Sequence, residues 1–377
     1  MPVSRNIGSL FLLLGLAGLG MIGCVSIIDF DTSDKEEQLV IYGKLTNSQN
    51  YHQGISVKRS SLETTVGRSI TNAVVSVIDE TGQEIPYLFS DEFDQYLPTV
   101  PFIGVPGTAY QARVSIGEQT YESTAQRMPM YGSVDTAYFR FDKDTLISDG
   151  GIEFEQYRLK ILTDSQFDQT EDTLYLKWDV EQITILSEVV LPVAKFPNYS
   201  PNVCYLFEGF INEKLLLYNG DEIRTTSIQE QELAIIPLDR TFINRRGYGI
   251  FQSSITRESM AYYQKVDQIA NRVGSIFEVP PAPIIGNFKN ISDPKNPPLG
   301  FFEVAKMDTT GTYVLQGDLP VRIGRGIDVP NCDYPITLFE NIPAGCIQCV
   351  YDIGVPTYCT NCTLLPNSTR ERPSYLF

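Results

Sequence analysis

The sequence predicts an all-β protein. An N-terminal immunoglobulin-like or carboxypeptidase-regulatory-like sandwich is followed by a larger antiparallel β domain with one long helix, and then by a Cys-rich tail. Three observations carry this. From Leu39 onward, short runs of β-branched and aromatic residues alternate with clusters of Asn, Gly, Asp and Pro, the punctuation of strands and turns. A single stretch, residues 256–274, breaks that pattern and keeps helical spacing. Five of the seven cysteines lie beyond residue 330.

Residues 1–23 precede this region and read as a lipoprotein signal peptide. Arg5 supplies the positive end and residues 7–23 an apolar run too short to serve as a membrane span. The run stops at Met21-Ile22-Gly23-Cys24, which resembles a bacterial lipobox, so Cys24 is expected to receive diacylglycerol before cleavage. Several acyl chains at ~0.8 kcal/mol per buried CH₂ hold such a chain firmly in a membrane. Gly18, Gly20 and Gly23 fit G-x-G-x-x-G, but they lie in the removed segment with no strand before them, so they bind no pyrophosphate. Cleavage removes Arg5 and moves the formal charge from −17 to −18. Residues 24–38 form an acidic tether containing Asp29, Asp31, Asp34, Glu36 and Glu37.

The first β domain is expected over 39–130. Its runs are LVIYGKLT (39–46), ISVKRS (55–60), residues 72–89 and residues 108–123; in the last, Ala112, Val114 and Ile116 alternate with polar neighbours and Gly117 closes a hairpin. Strands with no helix between them make a small antiparallel sandwich. The larger domain is expected over 131–330. There Leu174, Leu176, Trp178 and Val180 alternate with Tyr175, Lys177, Asp179 and Glu181, predicting one buried and one wet face and placing Trp178 in the core. The helix near 256–274 has Thr256 as N-cap and Tyr262, Tyr263, Val266, Ile269, Ala270 and Val273 on its apolar face. Gly274 and Pro280-Pro281-Ala282-Pro283 stop it, and it reads as a clip packed on the second sheet.

The tail, 331–377, carries Cys332, Cys346, Cys349, Cys359 and Cys362, which with Cys204 leave six cysteines once Cys24 is lipidated. An even number in an exported chain predicts disulfides, and six cysteines allow 15 connectivities that spacing does not choose between. Cys346-x-x-Cys349 and Cys359-x-x-Cys362 also have the spacing of a Cys₄ zinc site, which stands as the alternative. The tail is expected to fold back onto the second domain, tied through Cys204.

Composition narrows the function. Lys and Arg total 29 against 46 Asp and Glu, so a nucleic-acid backbone is repelled. His52 is the one histidine, in a polar loop between predicted strands, with no G-x-S-x-G or H-E-x-x-H motif to use it. Asp91, Glu92 and Asp94 could ligate calcium but lack the spacing of an EF-hand, so they read as a loop. No catalytic residue, metal site or cofactor is predicted.

The succession of motifs resembles one family, the Bacteroidota outer-membrane lipoproteins grouped as domain of unknown function 4249. It rests on CVSIIDFD (24–31), LVIYGKLT, ISVKRSS (55–61), VVSVIDETG (74–82), GVPGTAYQARV (104–114) and EQTYES (118–123). VCYLFEG (203–209), GSIFEVPPAPIIGNFKNISDP (274–294), LGFFEVA (299–305), CTNC (359–362) and RPSYLF (372–377) continue it. The chain departs from the family at Tyr205 and at Leu376-Phe377, where the family tends to carry Trp. The resemblance implies a lipid-anchored outer-membrane protein, and the acids behind Cys24 are similar to a signal for display on the cell exterior. It also implies a TonB-dependent receptor-type β-barrel as partner. The expected function is therefore a non-enzymatic binding or accessory module in nutrient capture or envelope function, its ligand unknown. An outer-membrane assembly or structural factor and a carboxylate-dependent glycan hydrolase are the alternatives.

Overall fold

The computed structural model describes residues 37–49, 53–60, 67–167, 173–222, 225–271, 284, 286–324 and 330–376. The signal segment, Cys24, most of the tether, His52, Gly274 and the Pro280-Pro281-Ala282-Pro283 break lie outside them. Among the described residues strand far outweighs helix, as predicted.

Among the described residues nine strands open the fold: β1 Leu39–Thr46, β2 Ile55–Arg59, β3 Arg68–Ser69, β4 Val74–Asp79, β5 Glu84–Ser90, β6 Gln95–Pro98, β7 Ala109–Ile116, β8 Gln119–Ser123 and β9 Gln126–Arg127. The alternation seen in sequence places Ala112 and Val114 inward, against Val75, Val77, Ile41 and Met128 in one core. Gly117 turns the β7–β8 hairpin at φ 57°, a left-handed conformation that glycine adopts at no steric cost.

The next strands are β10 Thr136–Ile147, β11 Glu153–Gln166, β12 Tyr175–Ser187, β13 Val203–Phe210, β14 Leu216–Asn219, β15 Ser227–Pro237 and β16 Arg245–Ser254. Helix α1 (Arg257–Ala270), β17 (Phe288–Asn290), β18 (Phe302–Val314), helix α2 (Ile347–Asp352) and β19 (Ser368–Thr369) follow. β10, β11 and β15 form a separate antiparallel sheet. Its inner face packs Leu159 and Ile161 against Trp178, Val180, Tyr248 and Ile250, so the second region is itself two layers around a core. The Trp178 indole donates to the Gln252 side chain at 2.8 Å, satisfying its polar edge inside that core. The other face of the three-stranded sheet carries a cross-strand ladder of ion pairs, including Arg140–Glu230 (2.8 Å), Lys160–Asp142 (2.7 Å) and Arg158–Asp144 (2.9 Å). Such charges keep an exposed sheet face soluble.

The two β regions share hydrogen-bonded strands. The sheet path runs β17-β8-β7-β4-β5-β6-β2-β1-β18-β16-β12-β13-β19, and β18 is the strand common to both parts. Its start pairs in parallel with β1 and its length pairs antiparallel with β16. Residues 286–305, distant in sequence from the first region, complete that region in space. Asn287 closes it: its side-chain oxygen accepts from the Phe302 amide at 2.8 Å and its amide donates to the Phe302 carbonyl at 2.9 Å. Gly300 permits this approach, since at φ 100° a Cβ there would stand 2.0 Å from the Ile41 carbonyl oxygen.

Two expectations are corrected. Helix α1 starts at the predicted cap, with the Thr256 hydroxyl accepting from the Ser259 amide, and its described turns run to Ala270, with the predicted stop at Gly274 outside the described residues; the expectation that changes is what the helix covers. It also reaches beyond the second sheet, because the Tyr263 hydroxyl lies 3.0 Å from that of Tyr42 on β1, and Tyr262 stacks on Phe301. The wet face predicted for β12 is covered. Tyr175 and Lys177 are buried, and Asp179 and Glu181 are half-buried. Helix α1 lies over the Tyr175 end with Met260 and Tyr263, and the C-terminal Tyr375-Leu376 lies over Ile183 at the other.

The tail folds back onto β13, as β19 pairs with it. All six candidate cysteines are bridged: Cys204–Cys362, Cys332–Cys359 and Cys346–Cys349. Cys204 ties the tail down, as expected. The pairing takes up all four sulfurs of the two C-x-x-C motifs, and so decides between bridges and the Cys₄ alternative.

Candidate joint cleft

The face of β12 that sequence reads as solvated is where the structure gathers its chemistry. Period-2 alternation sends Lys177 and Asp179 to one side of β12 while Trp178 goes to the core. In register with Lys177 on β16 is Ser253, and Lys44 of β1 donates to the Ser253 hydroxyl at 3.2 Å. Lys44 also stands 3.1 Å from the Glu303 carboxylate, its partner across the β1–β18 pairing. Lys177 bonds the Asp179 carboxylate, and its ammonium lies 5.4 Å from the centre of the Tyr263 ring. Two lysines and two carboxylates from three strands thus meet at the joint, roofed by helix α1.

The lysines set the charge state of Asp179. Burial alone would raise Asp179, but Lys177 and Lys44 outweigh it and keep the carboxyl below its ordinary value. Burial, reinforced by the Glu303 charge and the Tyr42 hydroxyl, pushes the Tyr263 phenol well above the usual tyrosine range. One register step further along β12, burial raises Glu181, opposed by a hydrogen bond from the Tyr375 hydroxyl.

Above Lys177 and Asp179 opens a cleft of about 450 Å³. Tyr42, Tyr263 and Phe210 give it aromatic walls, and Asn212, Lys214 and Asp267 a polar rim. The Asn212 side-chain oxygen accepts from the Val180 amide at 2.7 Å, which fixes that residue on the sheet. A cleft of this size with few fixed polar groups and aromatic walls suits a small polar ligand. Its floor presents donors and acceptors while its buried charges balance.

The other candidate residues lie elsewhere. Asp91, Glu92 and Asp94 sit in the β5–β6 turn, where Asp94 accepts from Lys58 at 2.6 Å and from the Ser69 hydroxyl at 2.6 Å. That carboxylate is engaged by an ion pair. Among the described residues no group of three or more His, Cys, Asp or Glu is placed to hold a metal. The bridged cysteines belong to the tail core, away from the cleft's lining. Sequence reasoning missed Lys44, Glu303 and Tyr263 as a cluster, and the available signal was slight: a lysine in an otherwise apolar first strand and a glutamate in LGFFEVA.

No curated protein and no solved structure matches the chain. A family model described as Domain of unknown function (DUF4249) matches residues 25–310, which include Lys44, Lys177, Asp179, Tyr263 and Glu303. The chain belongs to the DUF4249 family.

Proposed function

We propose that this chain is a non-enzymatic binding module, tethered to the outer membrane through a lipid on Cys24 and facing the cell exterior. It works beside a TonB-dependent receptor-type β-barrel in nutrient capture or envelope function, and the joint cleft is its ligand contact. The observation that carries the binding reading is the cleft itself, an opening of about 450 Å³ over the paired Lys177 and Asp179. Asp179 is held ionised beside Lys177, which suits it to hold a ligand by hydrogen bonds better than to donate a proton. The anchor and the partner are supported by the lipobox-like Met21-Ile22-Gly23-Cys24 and by the family resemblance. A lipid tether raises the effective concentration of the module beside integral barrels, so weak contacts suffice.

The test is a mild-detergent pulldown from native membranes. The affinity tag belongs in the exposed Ser148–Ile152 turn, because the C-terminal Tyr375 and Leu376 are buried. A receptor-type barrel should co-purify with the wild type, and Cys24→Ala should leave the membrane or keep its signal. Recovery of barrel-assembly machinery would replace this reading with the assembly factor. Glycan turnover abolished by Asp179→Asn would replace it with the hydrolase.

A further inference from the structure

We propose that Cys346–Cys349 is a thiol–disulfide exchange site, opened and closed by dithiols and disulfides while the rest of the fold stays intact. The three bridges are unequal in burial. Cys204, Cys359 and Cys362 are wholly inaccessible and Cys332 nearly so, whereas Cys346 and Cys349 are both half-buried at the margin of the tail core. Exchange needs a thiolate to approach a sulfur directly, so burial protects two bridges and leaves the third open to attack.

The bridges are also unequal in what they hold. Cys204–Cys362 spans 158 residues and joins β13 to the tail, and Cys332–Cys359 spans 27. Opening either releases chain that the bridge otherwise confines. Cys346–Cys349 spans three residues and confines only the first turn of α2. That turn has other supports: the Gly345 amide donates to the Lys195 carbonyl at 2.9 Å, and Val350 is wholly buried in the tail core. Reduction would therefore leave both thiols on a fixed turn, close enough to reoxidise. The Cys349 amide points at Cys346 Sγ, 3.3 Å away.

The step balances with a dithiol as reductant. One of its thiolates attacks a sulfur of the bridge, forming a mixed disulfide and expelling the other cysteine as thiolate. The second thiol of the reductant then resolves that intermediate, leaving two protein thiols and one reductant disulfide. Two electrons and two protons pass to the protein.

The experiment treats the folded full chain with graded dithiothreitol at neutral pH, quenches with iodoacetamide and locates label by peptide mass spectrometry. Cys346 and Cys349 should label at least tenfold faster than the other four, with near-ultraviolet circular dichroism unchanged during that phase. Cys346→Ser/Cys349→Ser should remove the fast phase and leave the slow one. Simultaneous labelling of all six, earlier labelling of Cys204, Cys332, Cys359 or Cys362, or no label before unfolding would overturn the proposal. The wild-type kinetics decide the matter even where the double variant misfolds.

Discussion

Lys44 on β1 and Glu303 on β18 face each other across the parallel pairing that joins the two β regions, Nζ to Oε1 3.1 Å, both side chains nearly inaccessible to water. A buried pair contributes little over an apolar pair of the same shape, but losing one partner strands a charge. Glu303→Gln or Lys44→Met should each cost about 3–5 kcal/mol in urea denaturation, and Lys44→Met/Glu303→Leu clearly less than the sum. Single variants within about 1 kcal/mol of wild type would show that the pair does not hold the joint.

Glu188 anchors the tail in a pH-dependent way. Its carboxylate accepts from the Asn202 amide and side chain, both at 2.9 Å, from the Cys362 amide at 3.1 Å and from Arg370 at 3.3 Å. Burial acts to raise this group, but the Asn202 and Cys362 donors and the Arg370 charge outweigh it and hold it below the ordinary carboxylate value. The folded value is thus the lower one, so the stabilisation is complete above the unfolded-state value and is lost as pH falls through the folded one. Glu188→Gln should lower stability at pH 7 by about 1–3 kcal/mol and flatten the acid limb of the stability profile. An unchanged acid limb would remove Glu188 from that role.

The strands were legible because their signals are local. LVIYGKLT coincides with β1, the Ala112 and Val114 alternation points inward, and Thr256 caps α1. The site was not legible, because period tells which residues share a face and not what covers it. Tyr175, Lys177, Asp179 and Glu181 carry the pattern of a wet face, and helix α1 and the C-terminal Tyr375-Leu376 cover them from other parts of the chain. The Lys44–Glu303 pair depends on β18 crossing between regions, a long-range pairing that no local propensity encodes. The disulfide connectivity was hidden for the same reason, since Cys204 meets Cys362 only through the β13–β19 docking.

Cys204–Cys362 closes the longest loop of the three bridges, and its removal should be the most damaging. Cys204→Ala/Cys362→Ala is expected to cost about 2–5 kcal/mol, with limited proteolysis cutting first within 330–376. Cuts elsewhere at an unchanged melting midpoint would show that β19 pairing and Glu188 hold the tail unaided.

The C-terminus docks on a track that only glycine leaves open. Gly249 and Gly311 sit opposite each other on β16 and β18, and a Cβ on Gly249 would stand 2.5 Å from the Tyr375 ring. A Cβ on Gly311 would stand 2.5 Å from the Tyr375 carbonyl oxygen, and one on Gly247 2.9 Å from Leu376. In that trough Tyr375 meets Phe251 edge-on at 5.2 Å and donates its hydroxyl to Glu181. Gly249→Ala should therefore cost about 1–3 kcal/mol by overpacking, and Tyr375→Ala about 3–5 kcal/mol by leaving a cavity over Phe251. Tyr375→Phe keeps the ring and removes only the hydroxyl that opposes the upward shift of Glu181, so its cost should be about 1 kcal/mol at neutral pH. If all three variants melt like wild type in thermal unfolding, the tail rests on the track without holding it, and the cover over the Glu181 end of β12 is free to lift.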